Sequence, residues 1–166
     1  MQKSQLATIR VLTVDDEKTI LRLVYDVLAR LGFRDITMAH SGRQAIELVS
    51  KQPFDLIISD WQMGDLTGID LVEFIRNNPA CICPRVPIIM LTGNTEAHYV
   101  IRARNTGINE YLIKPFSSEQ LVKRIRGIIE RPRPFVISSV YKGPERRRSD
   151  ANPPPDKPDR RKGKKK

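Results

Sequence analysis

Asp15 and Asp16 form an acidic pair at the end of the apolar run I-R-V-L-T-V, and Asp60 ends a second run, F-D-L-I-I-S. Lys114 and Pro115 follow a third, N-E-Y-L-I. Carboxylate oxygens suit magnesium, which takes one or two of them and keeps several waters. An aspartate can also act as a nucleophile and carry an acyl phosphate. That transfer asks little of the protein beyond positioning and charge neutralisation. Lys114 would supply a fixed positive charge for the phosphoryl oxygens, and Thr92, after V-P-I-I-M-L, a hydroxyl to bond one of them. Each residue alone has a plainer reading: an aspartate at a strand end is commonly a helix cap, and a lysine there is solvated. The set, at successive strand ends, points to a magnesium site beside a reactive aspartate.

These residues meet only if the chain brings the carboxyl ends of several strands to one edge, as a parallel α/β sheet does. Apolar runs alternate with helical patterns five times, which predicts crossover helices and a doubly wound (βα)5 parallel sheet, an α/β fold. Strands are expected near residues 8–14, 35–39, 54–59, 86–91 and 110–113. Helices are expected near 17–31, 42–52, 67–77, 95–106 and 118–130. In the first helix Ile20, Leu23, Val24, Val27, Leu28 and Leu31 share a face, and Gly32 stops it. Ser41 with Gln44, and Ser117 with Gln120, read as capping boxes.

The formal charge of +10 is unevenly placed. Residues 1–130 hold 16 Lys and Arg against 15 Asp and Glu, whereas residues 131–166 hold 13 against 4, with 7 of the 12 prolines. A segment so charged and proline-rich cannot bury a core of its own. The expected organisation is a folded domain over 6–130 and a basic tail over 131–166, disordered without a ligand. No run approaches the roughly 18 apolar residues of a membrane span, and Met-Gln-Lys-Ser opens no secretory signal, so a cytoplasmic protein is expected. Cys81 and Cys83 form a lone C-x-C, too few ligands for a tetrahedral metal site, and read as reduced loop thiols.

Taken together, V-D-D-E, S-D-W-Q-M-G-D-L-T-G, M-L-T-G and E-Y-L-I-K-P-F resemble the motifs of bacterial response-regulator receiver domains, the CheY-like type in particular. The resemblance covers about residues 6–130. It implies a flavodoxin-like receiver with strand order 2-1-3-4-5, the order for which such regulators are the standard example. It implies Asp60 as phosphoacceptor, and magnesium held by Asp15, Asp16, Asp60 and the Gln62 carbonyl. Thr92 and Tyr111 would be a coupled switch pair and Lys114 the phosphate-sensing ammonium, with Pro115 in cis. Without the family, Tyr111 reads as a half-buried strand aromatic. A signalling switch is implied and not an enzyme, served by a sensor histidine kinase or phosphotransfer protein. Two positions depart from the pattern: Gly64 stands where proline is usual, and Thr67 where an acidic residue is frequent.

Residues 131–166 are too few and too polar for a helix-turn-helix domain, so output falls to the receiver surface or the tail. The segment S-V-Y-K-G-P-E-R-R-R-S-D sets Tyr141, Arg146, Arg147, Arg148 and Asp150 close together. Arginine forks onto phosphate and guanine O6 and N7 and stacks on bases, a carboxylate accepts from the guanine N–H edge, and tyrosine offers a stacking face. Two phosphates and two guanines, the makeup of cyclic di-GMP, would use every one of these groups. The segment resembles the arginine-rich extensions of the alphaproteobacterial Cle group of CheY-like proteins. That resemblance implies cyclic di-GMP binding by these five residues, with Arg160 and Arg161 added from a second cluster, and action at the flagellar motor, at the flagellated cell pole. Two other readings stay open: nonspecific attraction to nucleic acid or anionic lipid, and a passive solubilising tail.

Overall fold

A computed structural model describes residues 3–93 and 97–146. After a short helix α1 (Lys3–Leu6), five strands alternate with five helices: β1 (Arg10–Val14), α2 (Lys18–Leu31), β2 (Asp35–Ala39), α3 (Gly42–Lys51), β3 (Leu56–Asp60), α4 (Gly68–Asn77), β4 (Ile88–Thr92), α5 (Ala97–Thr106), β5 (Glu110–Ile113) and α6 (Ser118–Glu130). The sheet is parallel throughout, in the order β2-β1-β3-β4-β5. This is the doubly wound fold expected from the sequence.

Strand periodicity sorts the core into two layers. Leu12, Val14, Ile57, Ile88 and Met90 face Ala45, Val49, Ile69, Val72 and Ile75, on the side of α3 and α4. Val11, Leu56, Ile58, Ile89, Leu91 and Leu112 face Val24, Leu28, Leu121 and Ile125, on the side of α2 and α6. Every residue of β3 and β4 is buried, as central strands covered on both faces require. In α2 the buried stripe is Leu21, Val24, Val27 and Leu28, while Leu23 is 38 % exposed. Leu23 lies two residues, hence about 200° of helical rotation, from Leu21, so only one of the two can face the sheet.

Local signals end the helices where the sequence predicts. Gly32 and Gly107 have φ of 110° and 104°, the left-handed conformation that glycine adopts without penalty. Ser117 and Gln120 form a full capping box on α6. On α3 the Ser41 hydroxyl accepts from the Gln44 N–H, but the Gln44 amide oxygen accepts from His40 rather than closing the box.

Within the basic tail expected over 131–166 to be disordered without a ligand, residues 135–144 depart from that expectation. A two-stranded antiparallel hairpin, β6 (Phe135–Ile137) and β7 (Lys142–Pro144), is docked on the domain. Its anchor is Arg76 of α4, which is 3 % exposed. The Arg76 guanidinium donates to the carbonyls of Gly107, Pro84 and Val86 at 2.7–3.1 Å and lies 5.3 Å from the centre of the Phe135 ring. Burial lowers the guanidinium to about 10, which leaves it charged at neutral pH. Charge averaged over 36 residues hides Phe135, whose ring meets the guanidiniums of Arg76 and Arg85, whereas Val136 and Ile137 stay exposed.

Candidate functional site

The carboxyl ends of β1 and β3 bring Asp15, Asp16 and Asp60 together, each offering an oxygen within 4.8 Å of the others. Asp15 is 1 % exposed and Asp60 6 %, whereas Asp16 is exposed. Lys114, at the end of β5, closes the cluster. Its Nζ lies 2.9 Å from Asp15 Oδ2, 2.9 Å from Asp60 Oδ1 and 3.9 Å from Glu17 Oε1. The Lys114–Pro115 peptide bond is cis.

Each carboxylate is also tied to backbone. Asp15 Oδ1 accepts from the Glu17 N–H at 2.8 Å, and Asp60 Oδ2 from the Gln62 N–H at 3.1 Å. Asp16 Oδ2 accepts from the Gly64 N–H at 3.3 Å. That last bond gives the glycine a role: a proline at position 64 has no N–H to donate. Thr67, the other departure, caps α4, with its hydroxyl accepting from the Asp70 N–H and Asp70 reaching back to the Thr67 N–H. The loop between is held by Asp65, whose carboxylate accepts from Gly42, Arg43 and Leu66. Slight burial works against these bonds, but together they hold the Asp65 carboxyl below the usual carboxylate range.

Burial pushes the Asp60 carboxyl above its ordinary value, and the Asp15 charge adds to this, while Lys114 and the Trp61 N–H pull the other way. Burial alone would lower the Lys114 ammonium. Its bonds to Asp60 and Asp15 outweigh that and raise it. An all-oxygen donor set of three carboxylates suits a hard divalent cation such as magnesium. The residues present therefore fit the ion that the sequence suggests.

Thr92 is buried at the end of β4, and its carbonyl accepts from the Lys114 N–H at 2.7 Å. Tyr111 is half-buried on β5, paired with Met90 and packed against the core. The edge thus gathers Asp15, Asp16, Asp60, Thr92 and Lys114, while Tyr111 stands three residues back along β5.

Of the residues expected to read a nucleotide, Tyr141 and Arg146 are described. The Arg146 guanidinium lies 4.0 Å from the centre of the Tyr141 ring, and the Tyr141 hydroxyl donates to the Pro144 carbonyl at 2.7 Å. Arg147, Arg148, Asp150, Arg160 and Arg161 lie outside the described residues. Arg76 was not among the candidates. A single arginine in an amphipathic helix gives no sign of burial, because what surrounds it comes from separate segments: Pro84 and Val86, Gly107, and the ring of Phe135. Cys81 and Cys83 are free thiols, and burial pushes Cys81 up to about 11. No described helix is long and apolar enough to cross a membrane.

Residues 11–126 match the response regulator receiver domain family. The chain is 33 % identical over 122 residues to the chemotaxis protein CheY of Pseudomonas aeruginosa, an alignment covering 74 % of this chain and 97 % of that one. It is 37 % identical over 120 residues to a probable chemotaxis protein CheY of Rhizobium etli, covering 72 % and 92 %. The high-resolution structure of the chemotaxis response regulator CheY4 of Vibrio cholerae superposes with a TM-score of 0.66 at 32 % identity, covering 72 % of this chain and 98 % of that one. By the family match over most of its length and by these relatives, the chain belongs to the response regulator receiver domain family and is of the CheY-like, chemotaxis-related type.

Proposed function

We propose that this chain is a phosphorylation switch that accepts a phosphoryl group on Asp60, and that its arginine-rich C-terminal segment reads cyclic di-GMP to modulate the flagellar motor. The observation that carries the first half is the Lys114 ammonium shared at 2.9 Å between Asp60 and Asp15. A buried carboxylate beside two others is poised for reaction when its charge is neutralised, and all the groups needed to do so converge on it.

In the proposed reaction an Asp60 carboxylate oxygen attacks phosphorus in line. An O–P bond forms as the bond to the donor's leaving group breaks, and that group departs with its electron pair. The donor is a phosphohistidine of a sensor kinase or phosphotransfer protein, or a small acyl phosphate. Asp15, Asp16, Asp60 and the Gln62 carbonyl would hold magnesium, which supplies charge neutralisation when bound. Lys114 releases Asp15 and pairs with a phosphoryl oxygen, and Thr92 donates its hydroxyl to another. Tyr111 responds from β5 and changes the surface offered to the flagellar switch. The chain is a stoichiometric acceptor rather than an enzyme, and it works in the cytoplasm, at the flagellated pole.

The second half rests on the Tyr141–Arg146 stack on the docked hairpin and on the mixture of arginine, tyrosine and aspartate that follows. Counterion release alone needs only cations.

Two experiments test this reading. Incubation with acetyl phosphate and magnesium should label the wild type and not Asp60→Asn. The single tryptophan, Trp61, adjoins Asp60 and should report magnesium and phosphoryl binding through its fluorescence. Labelling of the variant would remove Asp60. Calorimetric titration of cyclic di-GMP at two salt concentrations, against RNA as competitor, tests the second half. Binding lost equally to salt and RNA would leave an electrostatic tail.

A further inference from the structure

A cleft of about 480 Å3 lies at the other end of β5 from the carboxylates, between that strand, α6 and the docked hairpin. Its walls include Glu110, Tyr111, Arg124, Arg133, Tyr141 and Arg146. Three guanidiniums and one carboxylate line it, and two of the three meet that carboxylate: Arg124 Nη1 is 3.2 Å from Glu110 Oε2, and Arg133 Nη2 is 3.9 Å from Glu110 Oε1. By residue type the lining carries more positive than negative charge.

The groups are held in place beforehand. Arg133 also donates to the carbonyls of Asn109 and Glu145, and the Tyr141 ring is fixed by its bond to Pro144. Arg124 lies 6.0 Å from the Tyr111 ring centre, and Arg146 lies 4.0 Å from that of Tyr141. Guanidinium planes beside aromatic faces suit a planar base, and forked N–H donors suit a phosphate. Pre-ordered side chains also lower the entropy cost of binding.

We propose that this cleft is a nucleotide site built jointly by the receiver and the hairpin, taking a phosphate and one base of a phosphodiester-linked purine ligand. The inference rests on the reading of Tyr141 and Arg146 as ligand contacts. It adds Arg124 and Arg133, which belong to the folded body of the protein. Glu110 and Tyr111, which line the cleft, stand on the strand that runs to Lys114 and its pair with Asp60.

The test titrates cyclic di-GMP, GTP and inorganic phosphate separately into the full chain and into Arg124→Ala, Arg133→Ala, Arg146→Ala and Arg126→Ala. Arg126 is exposed on the same helix outside the cleft and controls for general charge. Backbone-amide NMR shifts of Tyr111 and Tyr141 in the wild type give a readout that survives if a variant folds poorly. The expected result is a loss of roughly tenfold for each cleft arginine, the order of one charge-assisted hydrogen bond, with little change for Arg126→Ala and ligand-dependent shifts at both tyrosines. Cyclic di-GMP binding that ignores Arg124 and Arg133 and leaves Tyr111 unshifted would overturn the joint site while sparing the tail reading. GTP binding that needs Arg124, with none for cyclic di-GMP, would support the cleft and overturn the messenger. No nucleotide binding at all would overturn both.

Discussion

Lys114 Nζ stands 2.9 Å from Asp60 Oδ1 and equally 2.9 Å from Asp15 Oδ2, so one ammonium compensates two buried carboxylates. Removing it leaves carboxylates in a poorly solvated place, and breaking a buried pair this way costs about 3–5 kcal/mol. Lys114 keeps a 17 % exposed side chain, which argues for the lower end. Lys114→Ala should therefore lose about 3 kcal/mol in urea unfolding with chelator present. Magnesium should then stabilise the variant more than the wild type, since the ion supplies the missing charge. An equal magnesium effect in both would mean that Lys114 is not the compensating group.

The acidic site also predicts a pH dependence. Asp60 is held above its ordinary 3.8, chiefly by burial. The folded protein then keeps the proton more tightly than the unfolded chain does. Stability falls as pH rises from 3.8 through the raised folded value and is level beyond it. Lys114 does not offset this, because its raised ammonium contributes fully below 10.5 and loses that contribution only as pH rises through its folded value. Measured in chelator, the stability advantage of Asp60→Asn over wild type should grow across the acid window and then stay constant. A difference that does not change with pH would show that the Asp60 charge carries no cost.

The sheet and its acidic edge were legible because their causes are local in sequence. β3 and β4 are unbroken apolar runs, Gly32 and Gly107 punctuate helices, and Asp15, Asp60 and Lys114 sit where such strands end. The hairpin was not legible because its causes are distant. Phe135 lies over a guanidinium from α4, and Gly143 meets a glycine that ends α5. No periodicity within residues 131–146 encodes those partners. Leu23 shows the same limit on a smaller scale: apolarity put it on the helix face, and only the sheet decides between it and Leu21.

Arg76 is predicted to stabilise the receiver as well as the docked hairpin. Its replacement by alanine leaves three carbonyls, of Pro84, Val86 and Gly107, without their donor and removes the support beneath Phe135. Pro84 is exposed and its carbonyl can turn to water, but the Val86 and Gly107 bonds are buried. Each abandoned buried acceptor costs about 1–3 kcal/mol, so a total loss of at least ~2 kcal/mol is expected in urea unfolding. Arg76→Lys should recover only part of it, because an ammonium cannot reproduce the planar fork. Full recovery by lysine would mean that the charge, not the fork, holds this junction.

Gly143 tests the docking of the hairpin separately from the stability of the receiver. A Cβ there would lie 2.6 Å from Gly107 Cα and 2.5 Å from the Tyr141 hydroxyl oxygen, and the first of these is backbone that cannot swing away. Gly143→Ala should therefore lift the hairpin while leaving the sheet and the Asp60 site intact. Chymotryptic cleavage after Phe135 should rise about tenfold, corresponding to ~1.4 kcal/mol of lost docking, since cleavage follows the population of the open form. Gly127→Ala, where nothing lies within 4 Å of the added carbon, should leave cleavage unchanged. Labelling by acetyl phosphate should persist in both variants, whereas Arg124-dependent nucleotide binding should fall in Gly143→Ala alone. If cleavage rises and nucleotide binding holds, the ligand is gripped by the arginine segment without the cleft.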